Sequence, residues 1–429
     1  MRFCVVNLGC KVNRVESDSF EGVLMGEGCS RSREEDADVI VVNTCTVTGE
    51  AEKKTRKAVR HALRANAHAR VVVTGCAAAI DPDLFAQLDA RVSVVAKADV
   101  ERCLADLTAK SREEGGAPSS EGSAAARVLH EGGEAGLAMV DEGRDAALFS
   151  SRTRVGLKVQ DGCDNACTYC IVHVARGRAT SVPASAIVER ACDLARSGVR
   201  EVVLSGINIG SYDFEGLRLA GLLERLLEAT SDLHAPDERP LRFRVSSIEP
   251  ADIDDDFVEL LARSEGRVCR HLHVPLQSGS SKVLREMARP YDAQDFAELV
   301  EYMRACVPSL ALTTDVIVGF PGETDDDFAQ TCDLARRCGF SKIHVFPYSR
   351  REGTPAAERR DQVDPSVRAE RARVLRSLSD ELRRADRLAR EGTREWALVE
   401  ERGRAMTESY YEVDAPAQAR VGSLACVTL

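Results

Sequence analysis

No stretch of the 429 residues approaches the roughly 18–20 consecutive apolar residues that a membrane-spanning helix needs, so no membrane partner is expected. The start, Met1-Arg-Phe-Cys-Val-Val-Asn, runs straight into a strand-like segment. That leaves no room for a signal or transit peptide and predicts a cytoplasmic protein. A basic excess is also lacking: 58 Lys and Arg face 69 Asp and Glu, a formal net charge of −11, which argues against a general nucleic-acid-binding surface. Aromatic residues are scarce at 5%, yet 44% hydrophobic and 30% charged residues make an ordinary globular composition and exclude bulk disorder. The length implies two or three domains, each able to bury its own core.

Cysteine, by contrast, is plentiful. Fifteen cysteines in a reducing compartment are buried small side chains, ligands or nucleophiles rather than disulfides. In the first hundred residues, continuous β-branched runs at Phe3–Leu8, Val39–Thr44, Val71–Thr74 and Val92–Val95 alternate with helix-like segments, the pattern of a parallel sheet covered on both faces. From about Ala109 to Phe149 the pattern dissolves into Gly, Ser, Ala and Glu, predicting a linker with at most a marginal strand at Ala138–Val140. Six strand–helix units then follow from Arg152, predicting a parallel barrel, complete or partial, whose site lies at the carboxyl ends of the strands. An Arg-rich helix over Val367–Arg390 precedes short alternating segments at Trp396–Glu400, Tyr410–Val413 and Leu424–Thr428, a β appendage too thin to stand as an independent barrel. The expected boundaries are residues 1–108, a linker over 109–150, 151–366, and a tail over 367–429.

Directly after the first barrel strand stands Cys163-Asp-Asn-Ala-Cys167-Thr-Tyr-Cys170. Three thiolates at spacings of four and three hold three irons of a 4Fe-4S cluster and leave the fourth open; a zinc site would want a fourth protein ligand. Cys10, Cys45 and Cys76 each follow an apolar strand, in Val-Asn-Leu-Gly-Cys10, Val-Asn-Thr-Cys45 and Val-Thr-Gly-Cys76. Carboxyl ends of parallel strands share one sheet edge, where ligands bind, so a second three-cysteine cluster is expected there. The other nine cysteines lack ligand spacing and read as core residues. His271 and His273 alternate along a strand, and a structural role is the expectation for both.

The three-cysteine loop with its aromatic residue resembles the radical S-adenosylmethionine (radical SAM) superfamily. Leu-Gly-Cys10-Lys-Val-Asn, Asn43-Thr-Cys45-Thr-Val-Thr, Thr-Gly-Cys76-Ala, Val245-Ser-Ser-Ile-Glu-Pro250, Pro275-Leu-Gln-Ser-Gly-Ser280 and Thr314-Asp-Val-Ile-Val-Gly-Phe-Pro-Gly-Glu323 are similar to the methylthiotransferases within it, over nearly the whole chain except the linker. The resemblance implies an α/β protein: a small parallel-sheet domain, a partial (β/α)6 radical SAM barrel and a reduced TRAM or OB-like tail. It also implies two 4Fe-4S clusters and S-adenosylmethionine, one cluster generating a 5′-deoxyadenosyl radical and the other holding the sulfur that becomes a methylthio group. For the S-adenosylmethionine pocket it points to strand-end residues: Tyr169 against the adenine, Gly206 and Asn208 presenting backbone groups, Gln277, and the segment from Gly319 to Glu323. Ordinary turn chemistry is the competing reading of each.

Within the family, Ile207-Asn-Ile-Gly-Ser-Tyr and Lys342-Ile-His-Val-Phe-Pro-Tyr-Ser most resemble the branch called MtaB, which acts on N6-threonylcarbamoyladenosine in tRNA. Isopentenyladenosine in tRNA and an aspartate of a ribosomal protein are the other family substrates, and an iron–sulfur protein that binds RNA or senses redox state without catalysis is a reading of another class. Basic faces on Lys53-Lys54-Thr-Arg56-Lys57 with Arg60 and Arg64, and on the Arg368–Arg390 stretch, suit a tRNA partner. An electron donor such as flavodoxin or ferredoxin and a monomeric state complete the expectation.

Overall fold

The computed structural model describes residues 1–46, 49–113, 153–236 and 238–429, with the side chains of 49–52 and 112–113 outside the description. Most of the expected linker and its marginal strand lie outside the described residues. The chain divides into two compact units, one comprising 1–151 with 171–177 and the other 152–170 with 178–429.

The first unit is built on strands β1 (Arg2–Asn7), β2 (Ser30–Arg31), β3 (Val39–Thr44), β4 (Arg70–Gly75) and β5 (Val92–Val94), all parallel in the order β2-β1-β3-β4-β5. Its helices are α1 (Lys11–Gly26), α2 (Gly49–Ala65), α3 (Cys76–Ile80), α4 (Pro82–Ala86), α5 (Val100–Glu113) and α6 (Val172–Arg176). Every residue of β3 is buried. Ile40 and Val42 enter one apolar layer with Val59 and Ala62, while Val39 and Val41 enter the other with Phe20 and Leu104, as the alternation of a strand covered on both faces requires. Each such side chain contributes about 1.5–3 kcal/mol on burial. Helix α5 runs to Glu113, past the expected boundary at residue 108. Ala109 to Glu113 are tolerated helix residues, and the first helix-breaking glycine comes only at Gly115.

In the second unit, strands β6 (Arg154–Lys158), β7 (Glu201–Ser205) and β8 (Arg242–Val245) form one parallel block, and β9 (His271–His273), β10 (Ala311–Val318) and β11 (Lys342–Pro347) form another. Parallel bridges Phe243↔Val268 and Ser247↔His273 join them. The six strands therefore run in chain order, with helices between them, and no ladder among the described residues pairs β6 with β11. This is the expected partial (β/α)6 barrel.

The tail forms four antiparallel strands, β12 (Arg394–Glu401), β13 (Arg404–Thr407), β14 (Glu412–Asp414) and β15 (Leu424–Thr428), in the order β14-β13-β12-β15. Strand β13, Arg-Ala-Met-Thr, has no apolar run to announce it. Too small to be stable alone, the sheet is tied to the amino ends of the barrel strands. Glu201, fully buried at the start of β7, binds Arg242 Nε at 2.7 Å and Arg244 Nε at 2.8 Å. The same guanidinium groups donate to the carbonyls of Trp396 and Glu408, both at 2.7 Å, and Arg270 pairs with Glu408 at 2.6 Å. The carboxyl ends of the strands are left for the site.

Candidate active site

In the first unit, Cys10 caps α1, Cys45 follows β3, and Cys76 opens α3 just after β4. These three strands are neighbours, so the cysteines gather at one sheet edge. Asn13 organises that edge. Its amide Nδ2 donates to Asn43 Oδ1 at 2.9 Å and to the Thr44 carbonyl at 2.8 Å, while its Oδ1 accepts from Cys10 Sγ at 3.4 Å and from Arg176 Nη2 at 2.8 Å. Gly75 has φ +95°, and a Cβ there would lie 2.4 Å from the Thr44 carbonyl oxygen; only glycine brings the chain to Cys76 by this route.

Cys76 Sγ accepts from Arg176 Nε at 3.3 Å and from Lys97 Nζ at 3.4 Å. The Arg176 side chain is fully buried and is held by Glu16, with Nη1 to Oε1 at 2.9 Å. Two cations on one sulfur compensate a thiolate. Neither is legible in the sequence: Arg176 lies in Val-Ala-Arg-Gly, with no motif around it.

In the second unit, the loop from Cys163 to Cys170 is stitched down by Thr168, whose N–H donates to the Met287 carbonyl at 3.1 Å and whose hydroxyl donates to that of Glu286 at 2.9 Å. Cys167 Sγ accepts from Arg289 Nη1 at 3.2 Å, and Cys163 Sγ accepts from the Asn165 N–H at 3.4 Å. Burial raises the Cys163 thiol, opposed by that backbone hydrogen bond. Burial pulls Arg289 down, but the surrounding Tyr169, Tyr291 and Cys167 outweigh it and hold the guanidinium charged. Glu249 pairs with Arg289, so this carboxylate aims the guanidinium at the sulfur. Tyr169 packs with Val283, Met287, Phe320 and Tyr348.

The strand-end residues divide. The N–H groups of Ile207 and Asn208 donate to Gln160 Oε1 at 2.9 and 3.0 Å, so of the expected backbone groups the Asn208 N–H is already engaged within the fold. Gln160 is fully buried and consumes both donors. Asn208 instead offers its side chain: Nδ2 is held by Asp252 at 2.8 Å, and Oδ1 is buried without a partner. Gln277 stands in the left-handed region, φ +65°, with its N–H and carbonyl paired to β10; such strain collects at functional sites. Gly319 has φ +71°, and a Cβ there would lie 2.1 Å from Arg368 Cγ; its N–H donates to Glu323. Glu323 also accepts from Arg371 at 2.7 Å, while Oε1 has no partner. Burial raises its pKa.

Both cysteine sets fit clusters. Each has cationic or N–H donors on sulfur, Arg176 and Lys97 at Cys76, Arg289 at Cys167 and the Asn165 N–H at Cys163, which suits thiolates that hold iron. S-adenosylmethionine fits too. Asn208 Oδ1, Ser246 Oγ and Glu323 Oε1, all after carboxyl ends of barrel strands, are buried and unpartnered. Such groups are rare unless a ligand completes them.

The family described as Radical SAM superfamily matches residues 157–335, and that described as Uncharacterized protein family UPF0004 matches residues 2–97. The threonylcarbamoyladenosine tRNA methylthiotransferase MtaB of Bacillus subtilis (strain 168) is 39% identical over 378 residues, covering 87% of this chain and 79% of the relative. The chain belongs to the radical SAM methylthiotransferase family. Its MtaB relative from Aquifex aeolicus (strain VF5) is 32% identical over 434 residues and covered end to end. The radical SAM methyltransferase TsrM of Kitasatospora setae, 18% identical with a TM-score of 0.55 over 83% of this chain and 75% of that one, shares the fold. As a methylthiotransferase, the chain uses S-adenosylmethionine and 4Fe-4S clusters. No helix among the described residues is long and apolar enough to cross a membrane.

The nine remaining cysteines are all buried or half-buried. The two basic stretches differ. Lys53, Arg56, Lys57, Arg60 and Arg64 line one groove along α2. In the helix Pro365–Ala389 and its end, Arg371 pairs with Glu323 and Asp325, Arg373 with Glu370, and Arg390 with Asp386 and Glu395. Three of the eight arginines of this second stretch are thus paired with carboxylates of their own unit.

Proposed function

We propose that this methylthiotransferase places a methylthio group on carbon 2 of N6-threonylcarbamoyladenosine at position 37 of tRNA. The reading is carried by the two separate three-cysteine sites, each with a buried arginine on a sulfur atom, together with the likeness to the MtaB relatives. When bound, the cluster on Cys163, Cys167 and Cys170 would supply the electron for S-adenosylmethionine cleavage, and the one on Cys10, Cys45 and Cys76 would hold the sulfur that is transferred.

The chain's own groups then have distinct tasks. Arg289, aimed by Glu249, balances the charge at Cys167; Arg176 and Lys97 do so at Cys76. Asn208 and Glu323 hold polar groups of S-adenosylmethionine, Gln277 and Gly319 shape the backbone around it, and Tyr169 closes the apolar side against water. The groove on α2 takes tRNA phosphates, which position the stem without reading sequence. Residues 1–113 form the sulfur-holding domain, 151–366 the radical-generating core and 367–429 the tail, with a linker that begins after Glu113. The enzyme works as a cytoplasmic monomer and draws electrons from a flavodoxin or ferredoxin.

Nucleosides from a deletion strain are expected to lose 2-methylthio-N6-threonylcarbamoyladenosine and regain it on complementation, read by mass spectrometry. An unchanged level in the deletion strain would overturn the substrate assignment. Arg176→Gln is expected to retain 5′-deoxyadenosine formation while lowering methylthio transfer about 10–100-fold, the usual cost of losing a group that orients a metal ligand. Equal losses in both measurements would show that Arg176 serves the fold alone.

A further inference from the structure

We propose that His273, Asp315 and His344 form a binding site for a divalent first-row transition-metal ion, separate from both cysteine sets. Among the described residues they are the group whose possible ligand atoms all lie within 4.8 Å of one another. They come from three neighbouring strands. Asp315 is in register with His344 across β10 and β11, and His273 is in register with Thr313, two residues before Asp315. All three are half-buried, so the site is open to solvent yet held on strands rather than loops. Two residues further along the same face of β10, Ile317 packs against the apolar cluster of Val283, Met287 and Phe320 that Tyr169 of the cysteine loop also packs against, which puts the group on the face that leads to the radical-generating site.

The geometry fits an ion. Ligands bound at about 2.1 Å lie about 3.0 Å apart at the edge of an octahedron and about 3.4 Å apart in a tetrahedron; His273 Nε2 and Asp315 Oδ1 are 3.2 Å apart. The His273 and His344 rings stand 5.6 Å apart between centroids, tilted by 59°, so both edges reach the carboxylate side. His273 Nδ1 lies 3.0 Å from Thr313 Oγ1, the outer partner that fixes the ring of a ligating histidine. Thr313 can serve in either tautomer. With an ion on Nε2, the proton resides on Nδ1 and Thr313 accepts it, turning its own hydroxyl to the Leu272 carbonyl at 3.5 Å. The Asp315 carboxylate lies beside His273 Nε2 and offers an anionic oxygen to a cation.

Two histidines and one carboxylate with open positions suit Mn(II), Fe(II), Co(II) or Zn(II), whereas thiolates select softer ions and clusters. Mn(II) is the useful probe because it leaves the cysteines aside. Anaerobic protein with both clusters loaded is titrated with Mn(II), following loss of the free-ion paramagnetic resonance signal at room temperature. One saturable site is expected. Thr313→Val is expected to weaken it about 10–100-fold, and Asp315→Asn and His344→Gln at least as much. Spin-echo spectra of wild-type protein grown with 15N-histidine should show imidazole nitrogen at the manganese, a measurement that needs no variant to fold. Absence of a saturable site, absence of imidazole nitrogen, or unaltered affinity in folded Asp315→Asn and His344→Gln proteins would overturn the proposal. None of these readouts depends on methylthio transfer or on which substrate the enzyme takes.

Discussion

Cys163→Ala protein is expected to release no 5′-deoxyadenosine from S-adenosylmethionine, whereas Cys45→Ala protein should release it and form no methylthiolated product. The asymmetry follows from where the two thiols lie. Cys163 belongs to the loop that Thr168 pins to Glu286 and Met287 and that Arg289 charges at Cys167. Cys45 lies at the end of β3 in the other unit, its backbone carbonyl accepting from Thr55 Oγ1 at 3.3 Å. Cys163→Ala gives up the Asn165 N–H contact to sulfur at 3.4 Å but leaves the Thr168 hydrogen bonds that pin the loop, and both substitutions shorten a small side chain by one atom, so the fold should survive. Deoxyadenosine and methylthio product, quantified together by mass spectrometry on anaerobically reconstituted protein, give the answer. Product from either variant would refute the assigned division of labour.

Glu201→Gln should destabilise the second unit by about 3–5 kcal/mol, because it leaves Arg242 and Arg244 as buried charges without a counter-ion. The thermal midpoint then falls by roughly 10 °C for a domain of this size. Burial alone would raise the Glu201 pKa, but Arg242 and Arg244 outweigh it and hold the carboxyl well below the usual glutamate range. The sign follows. A depressed folded-state pKa contributes stability that is fully present above the ordinary glutamate value of about 4.3 and is lost as pH falls toward the folded-state value. The wild-type advantage over Glu201→Gln should therefore be constant near neutrality and shrink only in acid. The two arginines also donate to the tail carbonyls of Trp396 and Glu408, so limited proteolysis of the variant should cut the tail first. A midpoint unchanged at pH 7 would show that the network contributes no net stability.

The legible and illegible parts of this protein separate by the range of the interactions involved. β3 and β4 are readable because a continuous valine-rich run covered on both faces is a local property, and the three strand-end cysteines are readable because each follows its own run. Gln160 is not. Its side chain reaches the N–H groups of Ile207 and Asn208, 47 and 48 residues away, and so removes donors that the turn sequence on its own would leave free. Nor is the Arg-rich helix, where Arg371 is buried against Glu323, 48 residues distant, although its composition reads as a solvated basic face. His273, a structural residue by its sequence pattern, meets Asp315 and His344 only through strand register.

The sequence by itself determined the strand–helix alternation of the two α/β units through periodicity, singled out six cysteines by their loop spacing and strand-end positions, and pointed to the family through the motifs around them, since all of these are written in local stretches of chain. Tertiary structure alone decided which charges are buried and what they touch. Arg176 meets Glu16 across 160 residues and Arg289 meets Cys167 across 122. A lone arginine in sequence carries no mark of burial, because the burial is made by elements that come together only when the chain folds.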